Sequence, residues 1–270
     1  MNLQQQLNKS IALLQQGRPQ EAQKGFEAIL HLFPKNPEAL HLLGVSFAQQ
    51  GNHTSAIDRI EKAIALQPQN AGCHLNLGNS QQALGRLEQS LASFERSISI
   101  QPNNSIAHFN RGNVLHSLGR LEDALVSYSK AIQYQKDCAD FFYNRANVLH
   151  ILGRLKESYA DYQEAIKLNP SHVGAYFNCG NVLQELRRLP EAISLYDRAI
   201  SISPTVAFIH GNRANALYGL KKYSDALRCY DAAINLDSNI AELYHNRGVL
   251  LSNMNLFLEA IHSLEMAMKI

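Results

Sequence analysis

Residues 108–132 read HFNRGNVLHSLGRLEDALVSYSKAI, and residues 142–166 read FYNRANVLHILGRLKESYADYQEAI. The two segments align without a gap at a separation of 34 residues. The same register extends in both directions, and an internal period of this length is typical of helical repeat proteins. It predicts eight repeats that fill the chain, beginning at Leu3, Pro37, Ala71, Ser105, Ala139, Val173, Ala207 and Ala241.

Small and bulky residues recur at fixed positions when each repeat is numbered from its start. Position 8 is Gly, Ala or Ser throughout, position 20 is Ala or Ser, and position 27 is mostly Ala. Position 24 is bulky in every repeat: Phe26, Ile60, Phe94, Tyr128, Tyr162, Tyr196, Tyr230 and Leu264. Small residues let two helices approach closely, and a large side chain fills the space beside them. The pattern predicts two packed helices in each repeat.

Glycine and proline mark the ends of these helices. Position 15 is Gly in the first five repeats, where a left-handed residue ends the first helix, and Pro at position 32 ends most second helices. Arg187, Lys221 and Asn255 replace the position-15 glycine, while Lys136 and Ser238 replace the position-32 proline. A positive φ forced on Arg or Lys costs on the order of 1 kcal/mol.

Together these columns resemble the tetratricopeptide repeat family, which has small residues at 8, Ala at 20 and 27, an aromatic at 24 and Pro at 32. The resemblance covers Leu3 to Ile270. It implies an all-α, right-handed superhelical solenoid of eight 34-residue helix-turn-helix repeats, in which first helices line a concave groove. We expect a single array over residues 3–270 with no separate catalytic domain.

Asparagine recurs at two positions that this packing does not require. Position 6 carries Asn76, Asn110, Asn144, Asn178, Asn212 and Asn246, and position 9 carries Asn79, Asn113, Asn147, Asn181 and Asn215. Asparagine is a mediocre helix former, and residues three apart share one face of a helix. Because an amide offers donors and an acceptor, a row of amides can hold an extended peptide by its main chain. The two columns therefore predict a peptide-binding face.

The position-6 column is similar to the one in the repeat region of O-linked N-acetylglucosamine transferases, where the family's asparagines contact the substrate main chain. The resemblance assigns that role to the six position-6 asparagines of this chain. For position 9 the alternative is that the amides cap, bridge or bond between neighbouring first helices.

Two other columns flank the asparagines. Phe109, Tyr143 and Phe177 at position 5 either anchor a bound partner or pack against position 9 or 12 of an adjacent helix. Arginine occupies position 7 in four repeats, at Arg111, Arg145, Arg213 and Arg247, and we expect its stem to pack and its head to bond locally. Beside the amides, the aromatic column predicts a polar, uncharged groove.

Composition and motifs indicate no chemistry beyond binding. The chain is 46% hydrophobic and 18% charged with net charge +2, too mild a balance to suggest a nucleic-acid partner. Its eleven histidines show no metal-ligand spacing, and no nucleophile elbow or phosphate-binding loop occurs. We expect no enzyme activity, no cofactor and no metal. The absence of a signal peptide and of an apolar run for membrane insertion predicts a cytoplasmic location.

The function that these observations favour is a protein–protein interaction scaffold that binds an extended polypeptide segment in its concave groove. The alternatives are a stand-alone substrate-recognition module related to O-linked glycosyltransferases and a structural assembly factor of an envelope or secretion complex. No polar helix follows Met268 and Ile270, so we expect Ile261, Leu264 and Met268 to expose apolar surface. A second copy, a partner protein or a separately encoded domain would dock there.

Overall fold

A computed structural model describes residues 2–270, and over these residues the chain forms sixteen α-helices and no strand. The predicted all-α repeat fold is confirmed. The helices belong to two compact units, unit 1 (Met1–Lys136) and unit 2 (Asp137–Ile270). Unit 1 contains α1 (Leu3–Gln15), α2 (Pro19–Leu32), α3 (Pro37–Gln49), α4 (His53–Leu66), α5 (Ala71–Ala83), α6 (Leu87–Ile100), α7 (Ser105–Ser117) and α8 (Leu121–Tyr134). Unit 2 contains α9 (Ala139–Ile151), α10 (Leu155–Leu168), α11 (Val173–Glu185), α12 (Leu189–Ile202), α13 (Ala207–Gly219), α14 (Tyr223–Leu236), α15 (Ala241–Asn253) and α16 (Phe257–Lys269).

The turn inside each repeat has one conformation whatever residue occupies position 15. The five glycines there have φ between 71° and 78°, and Arg187, Lys221 and Asn255 have φ of 60–61°. The turn closes through the same backbone bond in both cases: Arg120 N donates to Leu115 O at 2.9 Å and Lys222 N to Leu217 O at 3.0 Å. The left-handed residue is therefore retained at the three positions where glycine is replaced.

Close packing within a repeat joins positions 8 and 24. A Cβ added to Gly112 or Gly180 would lie 2.6 Å from the ring of Tyr128 or Tyr196, so no larger residue fits there without a shift. Both tyrosines are fully buried. The predicted contact between small and bulky residues is confirmed in these repeats.

First helices also contact one another, and this arrangement positions the asparagines. Within unit 1, α1 contacts α3, α3 contacts α5 and α5 contacts α7; within unit 2, α9 contacts α11, α11 contacts α13 and α13 contacts α15. Within the described residues of each unit, no second helix contacts another second helix. Each unit therefore presents an uninterrupted row of first helices.

Candidate functional site

One side of each first-helix row faces away from the second helices. Positions 3 and 10 of all four first helices of unit 2 are buried, whereas positions 2, 5, 6, 9, 12 and 13 are mostly partly or fully exposed. These six positions lie within one helical turn of the two asparagine columns. We call the surface that they form in a unit its first-helix face.

In unit 2 the asparagine columns form three hydrogen-bonded nodes of the same design. In each node the position-9 carboxamide oxygen accepts from the hydroxyl of the position-24 tyrosine of its own repeat. The same oxygen also accepts from Nδ2 of the position-6 asparagine in the next repeat. The nodes are Tyr162–Asn147–Asn178 with distances of 2.6 and 3.0 Å, Tyr196–Asn181–Asn212 with 2.7 and 3.0 Å, and Tyr230–Asn215–Asn246 with 3.4 Å for the second bond.

The nodes fix the orientation of every amide that takes part. An amide oxygen has two lone pairs, so the position-9 oxygen is saturated by its two donors. The position-6 asparagine spends one N–H on the node, and Asn178 gives a further contact to Tyr143 Oη at 3.2 Å. The Oδ1 atoms of Asn178 and Asn246 have no hydrogen-bond partner among residues 2–270, and that of Asn212 receives only a 3.5 Å contact from Asn215. We call the position-6 and position-9 asparagines of a unit its asparagine ladder. The polar groups of the ladder that lack an internal partner thus recur in the same orientation from repeat to repeat.

The hydroxyls at the base of the nodes are deeply buried. Burial raises the pKa of Tyr162, Tyr196 and Tyr230 above the ordinary value of a tyrosine, so each stays a neutral donor to its asparagine at physiological pH. The position-9 column therefore bonds between neighbouring first helices, which is one of the roles that the sequence left open for it.

The ladder of unit 1 is less regular. Asn110 Nδ2 donates to Asn79 Oδ1 at 2.8 Å, and Asn113 Oδ1 accepts from Tyr128 Oη at 2.8 Å. Asn76 Nδ2 lies 2.9 Å from His41 Nε2, and burial lowers the pKa of that histidine, which favours the neutral ring that can accept. In unit 2, Asn144 at the start of the ladder donates to Asp140 O in its own helix at 2.8 Å.

The position-5 rings are half-buried and pack on the position-24 ring of their own repeat. The centroid distances are 5.8 Å for Phe109–Tyr128, 6.0 Å for Tyr143–Tyr162 and 6.1 Å for Phe177–Tyr196. Position 24 of the same repeat is thus one packing partner of these rings, which the sequence did not predict. Tyr143 also contacts the ring of His172 at 4.4 Å, and Phe177 that of Phe208 at 4.9 Å.

The position-7 arginines point to the second helices. Arg213 and Arg247 pair with carboxylates of the preceding second helix, Asp197 at 2.5 Å and Asp231 at 2.6 Å. Arg145 pairs with the second helix of its own repeat, and Arg111 pairs with the second helix of the preceding repeat. The expectation that the arginine heads bond locally is confirmed, and these cations are not part of the first-helix face.

The remaining lysines and arginines of unit 2 also lie elsewhere. Some are in or beside the turns between helices, at Arg154, Arg187, Arg188, Lys221 and Lys222. The others are on second helices, at Lys156, Lys167, Arg198, Arg228 and Lys269. The first-helix face of unit 2 therefore carries no lysine or arginine.

Several histidines form hydrogen bonds that stabilise the fold, and the histidines form no metal centre in the described part of the chain. The Nε2 atoms of His74, His108 and His210 lie 2.9–3.0 Å from the position-32 proline carbonyls of the preceding repeats. Between residues 2 and 270, no three His, Cys, Asp or Glu side chains come together as ligands of a metal ion.

Several apolar side chains of α16 are exposed, with one correction to the sequence prediction. Ile261 and Met268 are 54% and 81% exposed, as predicted, and so is Leu258 at 81%. The prediction for Leu264 is wrong: this side chain is half-buried because it packs on Gly248, where an added Cβ would lie 2.8 Å from its Cγ.

Comparison with protein families identifies this pattern. The tetratricopeptide repeat models match residues 7–71 and 173–206, and the TPR repeat model matches residues 82–119, 112–153, 146–187 and 214–255. The chain belongs to the tetratricopeptide repeat family. Proteins of this family typically mediate protein–protein interactions, and the fold is generally a non-catalytic scaffold.

Solved structures with the same fold include several TPR proteins. YrrB, described as a TPR protein with an unusual peptide-binding site, is 24% identical with a TM-score of 0.64, over 70% of this chain and 97% of its own. A TPR protein from Parabacteroides merdae is 21% identical with a TM-score of 0.65, over 86% and 92%. A thermophilic TPR protein from Thermus thermophilus is 26% identical with a TM-score of 0.54, over 67% and 98%. A comparison with curated proteins finds no match.

The helices are also short relative to a bilayer. The first helices have 13 residues and the second helices at most 14, whereas a membrane crossing takes about 20 apolar residues. None of the helices between residues 2 and 270 could cross a membrane.

Proposed function

We propose that this TPR protein binds an extended polypeptide segment of a partner protein along its first-helix face, through the asparagine ladder. The observation that carries the proposal is the repetition of the node in unit 2. Three successive position-6 asparagines are held in one orientation by their neighbours, and each keeps an amide oxygen without a strong internal partner. Asn212 and Asn246 also keep an N–H, whereas Asn178 donates to both Asn147 and Tyr143.

The free groups match what a peptide main chain offers. Every residue of an extended chain carries one N–H and one C=O, and an amide can donate to one and accept from the other. Packed helices lie about 8–10 Å apart and extended chain rises about 3.3 Å per residue. One rung would therefore meet the peptide about every three residues, and Asn178, Asn212 and Asn246 would span about seven.

The energy of the ladder is additive over weak bonds. Each hydrogen bond contributes roughly 0.5–1.5 kcal/mol net, so three rungs contribute about 1.5–4.5 kcal/mol. No single rung holds a flexible segment, whereas the three together change the affinity by about 10- to 2,000-fold. Because the amides read the main chain, they accept many sequences. The role assigned by resemblance to Asn76, Asn110 and Asn144 follows the same chemistry.

The test is an affinity measurement with selected peptides. A displayed library of random 12-residue peptides is panned against the whole protein, and the binders are synthesised and measured by fluorescence anisotropy. The variant N178A/N212A/N246A is expected to lose at least about tenfold in affinity. Methylation of backbone nitrogens in the peptide is expected to weaken binding more than alanine substitution of most of its side chains.

A matched control is available on a second helix. Asn235 is exposed on α14, and N235A removes the same group away from the ladder. This variant is expected to bind as the parent does. Selected peptides that bind the triple variant and the parent equally well would remove the ladder from the mechanism.

The relation to O-linked glycosyltransferases is a second form of the same proposal, because it relies on the same asparagine column. If the chain recruits substrates for a catalytic subunit, purification from its source is expected to recover a glycosyltransferase chain with it, and the triple variant would keep that chain but lose the substrates. Docking through the exposed side chains of α16, to a second copy or in an assembly, stays a prediction that sedimentation over a wide concentration range tests.

A further inference from the structure

The charges of unit 2 are divided between its surfaces. Its lysines and arginines lie in turns, on second helices or in ion pairs with second helices, and none is on the first-helix face. Three carboxylates are on that face: Asp140, Glu185 and Glu242. Glu185 accepts from His150 Nε2 at 2.7 Å, whereas Asp140, 66% exposed at its side chain, has only a 3.7 Å contact with His172. The face is therefore acidic although the whole chain has a net charge of +2.

An exposed aromatic ring lies in the same row as two of these carboxylates. Position 2 of the four first helices is Asp140, Gly174, Phe208 and Glu242. Phe208 is 52% exposed and packs edge-on against Phe177, with centroids 4.9 Å apart.

The row runs beside the ladder. Each position-2 residue is four residues before a position-6 asparagine and shares its helix face, which puts Phe208 beside Asn212 and Glu242 beside Asn246. A peptide held by the amides would therefore pass within side-chain reach of the ring and the carboxylates.

We infer that the segment bound by unit 2 is basic and carries an apolar, preferably aromatic, residue that packs on Phe208. The inference rests on the proposed function and names the class of its partner. Complementary charge favours lysine or arginine facing Glu242 and Asp140, and repels acidic segments. An arginine or lysine can also lie over the Phe208 ring. With one repeat for about every three extended residues, the basic residue facing Glu242 lies about three positions from the one on Phe208.

The same charge division disfavours a nucleic acid on this face. A phosphate backbone is held by lysine and arginine, and here it would meet carboxylates only. Bases can stack on exposed aromatic rings, so single-stranded nucleic acid is the competitor to test. Its binding to this face would contradict the inference.

Four synthetic peptides test the inference on the whole protein. The reference probe is the acetylated and amidated peptide GSKGSFGSKGS, which places a lysine three residues on either side of a phenylalanine. The others replace both lysines by glutamate, both lysines by serine, or the phenylalanine by serine. At about 50 mM salt the lysine peptide is expected to bind at least about fivefold more tightly than the glutamate peptide, and the difference is expected to shrink at about 500 mM.

Variants of the face locate the effect. E242Q is expected to reduce the discrimination between lysine and glutamate, and F208A the discrimination between phenylalanine and serine. The controls are E265Q and L258A, which change exposed side chains of α16. All four positions are on the surface, so these variants are expected to fold as the parent does.

The outcomes separate the two proposals. The uncharged peptide, with serines in place of lysines, tests the ladder alone. Its affinity for N178A/N212A/N246A is compared with its affinity for the parent. If the variant binds it more weakly and the glutamate peptide binds as well as the lysine peptide, the inference is wrong and the proposed function stands. If none of the four peptides binds, both are wrong.

Discussion

At the scale of single residues, the central finding is that the carboxamide oxygen of the position-9 asparagine accepts two hydrogen bonds. In Asn147, Asn181 and Asn215 this oxygen accepts from a buried tyrosine and from the next asparagine along the row. The position-9 amide thus stabilises the repeat and orients the position-6 amide. Only the position-6 amide keeps an acceptor oxygen for a partner.

The chemistry of these nodes gives a first prediction. N181A leaves the buried hydroxyl of Tyr196 without its main acceptor and is expected to lower the free energy of unfolding by about 1–3 kcal/mol. Removal of both groups in N181A/Y196F is expected to be less destabilising than the sum of the two single changes. Urea unfolding of the four proteins measures the difference. Additive single changes would mean that the bond contributes nothing.

The sequence contains a signal for the bond between tyrosine and asparagine. Tyrosine occupies position 24 only in repeats 4 to 7, and in each of these position 9 is asparagine. In repeats 1, 2 and 8, where position 9 is Ile or Val, position 24 has no hydroxyl. This correlation indicates a bond between the columns. Its geometry could not be predicted, because it depends on how the two helices of a repeat are rotated against each other.

At the scale of elements, the helix ends follow from local chemistry. The sequence predicted a left-handed turn at position 15 from its glycines. The turn persists where glycine is replaced, because a backbone bond such as that from Lys222 N to Leu217 O closes it whatever the side chain. The same holds for the end of α14 at Leu236, which lies in register with the other second helices although Ser238 replaces the proline.

The turns give a second prediction. Lys221 has φ of 60°, a conformation that costs a residue with a side chain about 1–2 kcal/mol. Glycine avoids this strain but loses more conformational entropy on folding, which costs roughly 0.5–1 kcal/mol. K221G is therefore expected to stabilise the protein by up to about 1 kcal/mol. The opposite change, G153A at φ of 72°, is expected to destabilise it by a similar amount. Thermal unfolding measures both, and a K221G variant less stable than the parent would contradict the account.

The partners of the position-7 arginines show where element-scale prediction ends. Arg145 pairs with the second helix of its own repeat, whereas Arg213 and Arg247 pair with that of the preceding repeat. A repeat pattern gives the column that carries the charge. Which of two nearby helices supplies the partner depends on whether the acidic residue occupies position 23 or 25, as at Asp161 and Asp197.

At the scale of the whole molecule, the fold was predictable because the same 34-residue pattern repeats eight times and each helix packs mainly on its neighbours. Stability is then a sum over repeats and the interfaces between them. The distribution of charge over the surfaces was less predictable. The sequence suggested an uncharged face, whereas exposed Asp140 and Glu242 make the first-helix face of unit 2 acidic.

Buried thiols make the stability of the molecule depend on pH, which is a third prediction. Burial raises the pKa of Cys73 from 9.0 to about 11 and that of Cys179 to about 12. Above pH 9 the unfolded chain loses these protons before the folded chain does. The contribution of these thiols to the free energy of unfolding is therefore complete below pH 9, and it is lost as the pH rises through 11–12. The free energy of unfolding is expected to fall over that range, less steeply in C73A/C179A than in C138A. Equal slopes would exclude the thiols as the cause.

The central claim is that the position-6 amides themselves hold the peptide, and their side-chain NMR signals test it most directly. The protein is labelled with ¹⁵N, the NH₂ signals of Asn178, Asn212, Asn246 and the control Asn235 are assigned by substitution, and GSKGSFGSKGS is titrated in. We expect the three ladder signals to shift together to saturation with a single dissociation constant while Asn235 stays in place. Saturable binding that leaves the three ladder signals unmoved would contradict the account.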